Sequence, residues 1–125
     1  SCIPTGDMLV QTNHDRQYLT GSQVPVLHDI DNDVFFAEEG SLDGKPFYGA
    51  VATDAATGKR ICYEVCKDFK FWVVWNDHGD KGYFCPEPCT WIIDAPNQPI
   101  PGEESGYREL APGESHTVTE KIYTA

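Results

Sequence analysis

Apolar residues in this chain occur in short runs separated by glycine and proline, a spacing typical of β-strands. The densest run, residues 69–75, is apolar at almost every position. A run without alternation predicts a strand that is buried on both faces near the middle of a sheet. No segment repeats apolar residues at helical spacing over the length of a helix, so we expect no helix.

Alternating apolar and polar residues predict further strands on either side of this run. The predicted strands cover residues 24–27, 34–37, 47–53, 60–65 and, as a closing strand, 116–123. Residues 54–59 have turn composition, so the strands on either side form a hairpin, while residues 38–44 are expected to be a loop. The pattern predicts an all-β, antiparallel β-sandwich that occupies residues 1–125 as one domain.

The composition narrows the choice of partners. A chain of 125 residues has the size of one ordinary domain, and its net charge of -11 argues against nucleic acid and anionic membrane surfaces as partners. No apolar run approaches membrane-spanning length. A phosphorylated substrate is disfavoured, because the chain has only three guanidinium groups that could bind a phosphate, those of Arg16, Arg60 and Arg108. We expect no cofactor.

The five cysteines leave three interpretations open. Cys62 and Cys66 lie four residues apart, as do Cys85 and Cys89, and Cys2 is left over. They are buried free thiols, disulfides formed in an oxidising compartment, or metal ligands, although the spacing is unusual for a zinc site.

A cluster of aspartates raises a further possibility of metal binding. Asp29, Asp31 and Asp33 alternate along the chain, and oxygen-rich loops bind calcium. The cluster lacks the glycine and the terminal glutamate of a dedicated calcium loop, so we expect no metal site.

The segment around Glu87 is the strongest candidate for chemistry. Glu87 lies between Pro86 and Pro88, within a run that is otherwise apolar and aromatic. Proline fixes its own backbone and drives the preceding residue toward an extended conformation. A carboxylate held rigidly beside aromatic rings suits a general base, whereas the alternative interpretation is a solvated turn residue.

Several blocks, taken in order, resemble the C-terminal part of aldose 1-epimerases, the galactose mutarotase-like proteins. The blocks are Pro4-Thr5-Gly6-Asp7, His28-Asp29-Ile30-Asp31-Asn32-Asp33-Val34-Phe35, Phe71-Trp72-Val73-Val74-Trp75-Asn76, Cys85-Pro86-Glu87-Pro88 with Thr90-Trp91, Asp94-Ala95-Pro96-Asn97, and Leu110-x-Pro112-Gly113-Glu114. The resemblance implies a β-supersandwich and the interconversion of α and β anomers of free aldohexoses by ring opening.

The resemblance also assigns roles to individual residues. Glu87 matches the glutamate that removes the proton from the C1 hydroxyl group, and Asp31 or, with a shift of register, Asp33 matches an aspartate that binds sugar hydroxyls. Trp75 and Trp91 are expected to offer aromatic faces to the sugar. Asn76, in the block of Trp75, is grouped with these substrate-binding residues.

The resemblance is incomplete, because the family's general-acid histidine lies in an N-terminal half that this chain does not match. His14, His28, His78 and His116 do not lie in the corresponding motif. The chain is therefore expected to be the C-terminal half of an epimerase domain, completed by an N-terminal half or by self-association. The alternatives are a carbohydrate-binding module without turnover and an inactive half-domain.

Overall fold

The computed structural model describes Ile30 and residues 33–125. Strands dominate this part of the chain, with one short helix and two 3₁₀ turns. In chain order, the strands and the helix are β1 (Asp33–Phe36), β2 (Gly40–Leu42), β3 (Lys45–Phe47), β4 (Gly49–Thr53), β5 (Arg60–Val65), β6 (Phe71–Trp75), β7 (Cys85–Cys89), α1 (Gly102–Ser105) and β8 (Glu120–Thr124). The 3₁₀ turns are Asp77–Gly79 and Ala95–Asn97. No helix among these residues is long and apolar enough to cross a membrane.

The strands form two three-stranded antiparallel sheets and a separate hairpin. The first sheet has the order β1-β6-β7, the second has the order β4-β5-β8, and β2 pairs with β3. The predicted all-β, antiparallel architecture is confirmed. The prediction for the apolar run also holds, since β6 lies in the middle of the first sheet and residues 71–74 are buried.

The two sheets meet in an aromatic core. The Trp72 ring meets the Tyr63 ring edge-on, with centroids 5.6 Å apart and an interplanar angle of 80°. Val65 and Phe69 complete the buried centre of this cluster. Burial of these large apolar side chains between the sheets is the main contribution to the stability of the sandwich.

The opposite face of β6 is covered at one end by the segment that follows β7. Phe71 is 2% exposed and packs with Ile92 and Ala95. Gly106 allows the segment to approach closely: its φ is +77°, and a Cβ atom there would lie 2.2 Å from the Thr90 carbonyl oxygen. Any other residue at position 106 would therefore push the segment away from the sheet.

The hairpin of β2 and β3 lies where the sequence predicted only a loop. Asp43 and Gly44 both have positive φ, as the tight turn of a two-residue hairpin requires. Arg60 donates to both carboxylate oxygens of Asp43, at 2.8 and 2.7 Å, and this bonding holds the pKa of Asp43 below its usual value. The strands are too short and too polar for their alternation to have been visible in the sequence.

The expectation that the chain has no helix was wrong at α1. This single turn begins after Pro101, whose carbonyl accepts from the Ser105 N–H at 2.8 Å, and it ends at Gly106. Four residues are too few to produce a helical apolar repeat, so only the flanking proline and glycine signal it. The closing strand also begins later than predicted, at Glu120. The predicted strand 24–27 lies outside the described residues.

Tyr48 links the loop before β6 to the core and allows a test of this packing. Its hydroxyl group donates to the Phe69 carbonyl oxygen at 2.6 Å, and burial raises its pKa. We expect Tyr48→Phe to lower the free energy of unfolding by about 1 kcal/mol, because the carbonyl loses its partner. Urea denaturation measures this, with Tyr107→Phe as the control, since that hydroxyl bonds only the exposed Glu109. Equal losses in both variants would contradict the expectation.

Candidate active site

Glu87 lies at the middle of β7 with its side chain exposed. Its Cα partner in β6 is Val73, and Pro88 and Pro86 lie opposite Trp72 and Val74. Among the described strands β7 is an edge strand, the position in a sheet where proline is tolerated. The extended backbone predicted from the two prolines is present, and the alternative of a turn residue is excluded.

The register of the first sheet defines which side chains surround Glu87. Directly opposed residues of antiparallel strands share a face, and alternate residues along each strand share it too. The resulting Glu87 face consists of Val34, Phe36, Phe71, Val73, Trp75, Cys85, Glu87 and Cys89. Val34 and Phe36 are 40% and 50% exposed. Glu87 is the one charged member of this otherwise apolar face.

An aromatic pair borders the Glu87 face at one end. Trp75, whose Cα partner is Cys85, lies on the same face as Glu87 and diagonal to it. Its ring centroid is 5.8 Å from that of Tyr83, which is 39% exposed. The pair offers an apolar surface of the kind that packs against sugar C–H groups. Sequence reasoning missed Tyr83, although its position two residues before Cys85 was the available signal.

Asp33 lies on the other side of the sheet. Its Cα partner is Val74, so strand alternation directs its side chain away from the face that carries Val73 and Glu87. This register does not support the prediction that Asp33 joins Glu87 in one substrate site. The other candidate for that role, Asp31, lies outside the described residues, as do Asp29, His28 and His14.

Asn76 occupies an interior position instead of a binding surface. It is 0% exposed, and its side-chain oxygen accepts a hydrogen bond from the Ile30 N–H at 2.9 Å. The Asn76 N–H in turn donates to the Ile30 carbonyl at 3.1 Å. These two bonds fix Ile30, which is 1% exposed, beside the end of β6. The geometry favours a structural role over the predicted contact with substrate.

Trp91 does not join Trp75 in one aromatic platform. It follows the Cys89 end of β7, whereas Trp75 lies opposite Cys85 at the other end. The Trp91 ring packs on Tyr107, with centroids 5.4 Å apart and an interplanar angle of 32°. The two tryptophans predicted to bind one sugar therefore lie near opposite ends of β7.

The described cysteines are free thiols, and two of them flank Glu87. Cys85 and Cys89 lie on the Glu87 face. Cys62 is buried within β5, and Cys66, the residue after β5, is half-buried. Burial raises the pKa of the Cys89 thiol, and the negative charge of Glu87 adds to this effect. The thiol is therefore uncharged near neutral pH. The described residues hold no group of three side chains placed to bind a metal ion.

The two histidines in the described part of the chain lie outside the strands of the first sheet. His78 is exposed in the 3₁₀ turn after Asn76. His116 contacts Arg108, with Nδ1 and the guanidinium nitrogen 3.0 Å apart, and faces Asp68 at 3.6 Å. Neither arrangement identifies a proton donor for a substrate bound over Val73.

A solved structure matches this arrangement of strands over almost the whole chain. A galactose mutarotase-like protein from Clostridium acetobutylicum superposes with a TM-score of 0.90 over 98% of the chain, at 36% sequence identity. The chain has a galactose mutarotase-like fold. It spans only about a third (36%) of the length of that protein. A search against protein-family models found no match. The mutarotase-like fold agrees with the resemblance seen in the sequence, at the level of architecture.

Proposed function

We propose that the chain carries the general-base part of an aldose 1-epimerase, an isomerase that interconverts α and β anomers of free aldohexoses. The main support is the setting of Glu87, an exposed carboxylate held between two prolines as the one charge on an apolar face. The likeness to a galactose mutarotase-like protein favours this chemistry over other uses of such a carboxylate.

In this reaction Glu87 accepts the proton of the C1 hydroxyl group. As the C1–O1 bond becomes a carbonyl, the bond between C1 and the ring oxygen breaks, and that oxygen takes a proton from an acid. Rotation about the C1–C2 bond and reversal of these steps give the other anomer. Trp75 and Tyr83 are placed to pack against the sugar ring beside Glu87. We assign no acid among the described residues.

The second candidate is a chain without turnover, either a carbohydrate-binding module or an inactive half-domain. One observation favours it: within residues 33–125, neither His78 nor His116 lies on the Glu87 face. A site that has a general base but no general acid can still bind the sugar, but it accelerates the reaction much less.

Polarimetry distinguishes the two candidate functions. The optical rotation of freshly dissolved α-D-glucose and α-D-galactose is followed with and without the chain, and with heat-denatured chain as the control. Acceleration above both backgrounds supports the isomerase. Binding of the sugars without acceleration supports a carbohydrate-binding module, and neither binding nor acceleration contradicts both the isomerase and the binding module.

We further propose that the sandwich is completed by an N-terminal half or by self-association. Apolar side chains support this proposal, since Ile61 and Ile122 are 54% and 65% exposed and lie on the face of the second sheet that packs on Trp72. We expect sedimentation velocity to show dimers or larger species whose fraction falls on dilution. A single monomeric species at all concentrations would contradict self-association.

A further inference from the structure

A groove separate from the Glu87 face lies beyond the end of β6 and β7 where Phe71 and Cys89 are paired. Its volume is about 720 Å³, within the usual range of small-molecule sites. Trp91 and Tyr107 form an aromatic wall, and the titratable side chains that line the rest of the groove are Asp68, Lys70, Glu103, Arg108 and His116. Glu87 is not among the lining residues.

The aromatic wall is accessible and held in place. Trp91 is 40% exposed, and its ring lies at a shallow angle to the Tyr107 ring. The Tyr107 hydroxyl donates to Glu109 at 2.8 Å, and the ring packs against the cluster of Phe71 and Ile92. An exposed tryptophan backed by a second ring presents a flat apolar surface without a large entropic cost of ordering it.

The contacts among the polar groups of the groove define which of them donate and which accept hydrogen bonds. A guanidinium group only donates hydrogen bonds, so Nδ1 of His116 accepts from Arg108 at 3.0 Å. The hydrogen of neutral His116 is then on Nε2, which faces Asp68 at 3.6 Å. Lys70 donates to the carbonyl oxygen of Glu103 at 3.2 Å. The groove thus offers donors at Arg108 and Lys70 and acceptors at Asp68.

The charges in the groove balance. Lys70 and Arg108 contribute two positive charges, and the lining residues Asp68 and Glu103 contribute two negative charges. A groove of this composition does not favour a strongly anionic or cationic ligand. A ligand whose groups both donate and accept, and which carries one apolar face, fits it better.

We propose that this groove binds a neutral pyranose unit of a saccharide, with the C–H face of the ring on Trp91 and hydroxyl groups bonded to Arg108 and Asp68. Hydroxyl groups satisfy both the donor of Arg108 and the acceptor of Asp68, which a purely apolar peptide does not. The site is independent of Glu87 and requires no ring opening.

The test uses the ¹H–¹⁵N NMR signals of the three indole N–H groups, those of Trp72, Trp75 and Trp91, in the 125-residue chain. The probes are methyl β-D-glucopyranoside and methyl β-D-galactopyranoside, which cannot change anomer. We expect the Trp91 signal to shift and saturate with at least one probe, while the signal of buried Trp72 stays in place.

Variants locate the binding. Arg108→Met is expected to raise the Kd about tenfold or more, since it removes a charged hydrogen-bond donor, and Glu87→Gln is expected to leave the Kd unchanged. Unchanged positions of the Trp72 and Trp75 signals show that the Arg108→Met chain is folded. No shift at Trp91 up to tens of millimolar glycoside, or an unchanged Kd in Arg108→Met, would overturn the proposal. A shift at Trp75 alone would place the glycoside on the Glu87 face, overturning the groove while supporting the proposed function.

Discussion

Replacing Glu87 with glutamine is expected to lower the rate of mutarotation by the chain by two orders of magnitude or more, with sugar binding largely retained. The amide is nearly the same size as the carboxylate, so Val73 and the two prolines keep their positions. It does not accept the proton of the C1 hydroxyl group, and removal of a general base costs about 10²–10⁴ in rate. Polarimetry with fresh α-D-galactose measures the rate, and the indole NMR signal of Trp75 reports binding.

The matched control is Glu104→Gln. Glu104 is exposed in α1, so this variant makes the same change of charge outside the Glu87 face. We expect its rate to equal that of the parent chain. Equal mutarotation rates in Glu87→Gln and the parent chain would contradict the role of Glu87 as general base. Equal losses of rate in Glu87→Gln and Glu104→Gln would indicate that the change in net charge is the cause.

Truncation of Phe71 to alanine is expected to lower the free energy of unfolding by about 3–5 kcal/mol. The side chain is 2% exposed and lies between β6 and the segment that carries Ile92 and Ala95. Its removal leaves a cavity that the short strands cannot close without moving that segment. Guanidinium denaturation followed by tryptophan fluorescence gives the value.

Phe36→Ala is the control for Phe71→Ala. The Phe36 ring centroid lies 5.2 Å from that of Phe71 on the same face, but Phe36 is 50% exposed. Its truncation removes less buried surface and opens no closed cavity, so we expect a loss of less than about 1.5 kcal/mol. Similar losses in the two variants would contradict the assignment of Phe71 to the core.

The architecture could be predicted because local sequence patterns determine its main strands. The apolar run of β6, the alternation of β5 and the two prolines of β7 each fix the backbone without reference to distant residues. The hairpin of β2 and β3 and the turn of α1 are too short for such patterns. They depend on single features, such as Asp43 and Gly44 with positive φ.

The site could be predicted only in part, because its members are brought together by register. Glu87 and Trp75 share a face because Val73 lies opposite Glu87, a pairing that a shift of one residue would undo and that no local signal sets. The same rule directs Asp33 to the other face. Trp91 follows the end of β7, so counting alternate residues from Glu87 did not reveal that it packs with Tyr107.

The prolines that hold Glu87 also change what the outer edge of β7 offers to other polypeptides. In the antiparallel ladder with β6, the backbone groups of Pro86 and Pro88 point outward, since those that bond β6 belong to the alternate residues. Among the described strands, the outer edge of β7 therefore presents carbonyl oxygens at these two positions without any N–H group. A strand arriving from solution would find acceptors but no donors along this stretch. The residues that aim the carboxylate thus also protect the sheet against edge-to-edge aggregation.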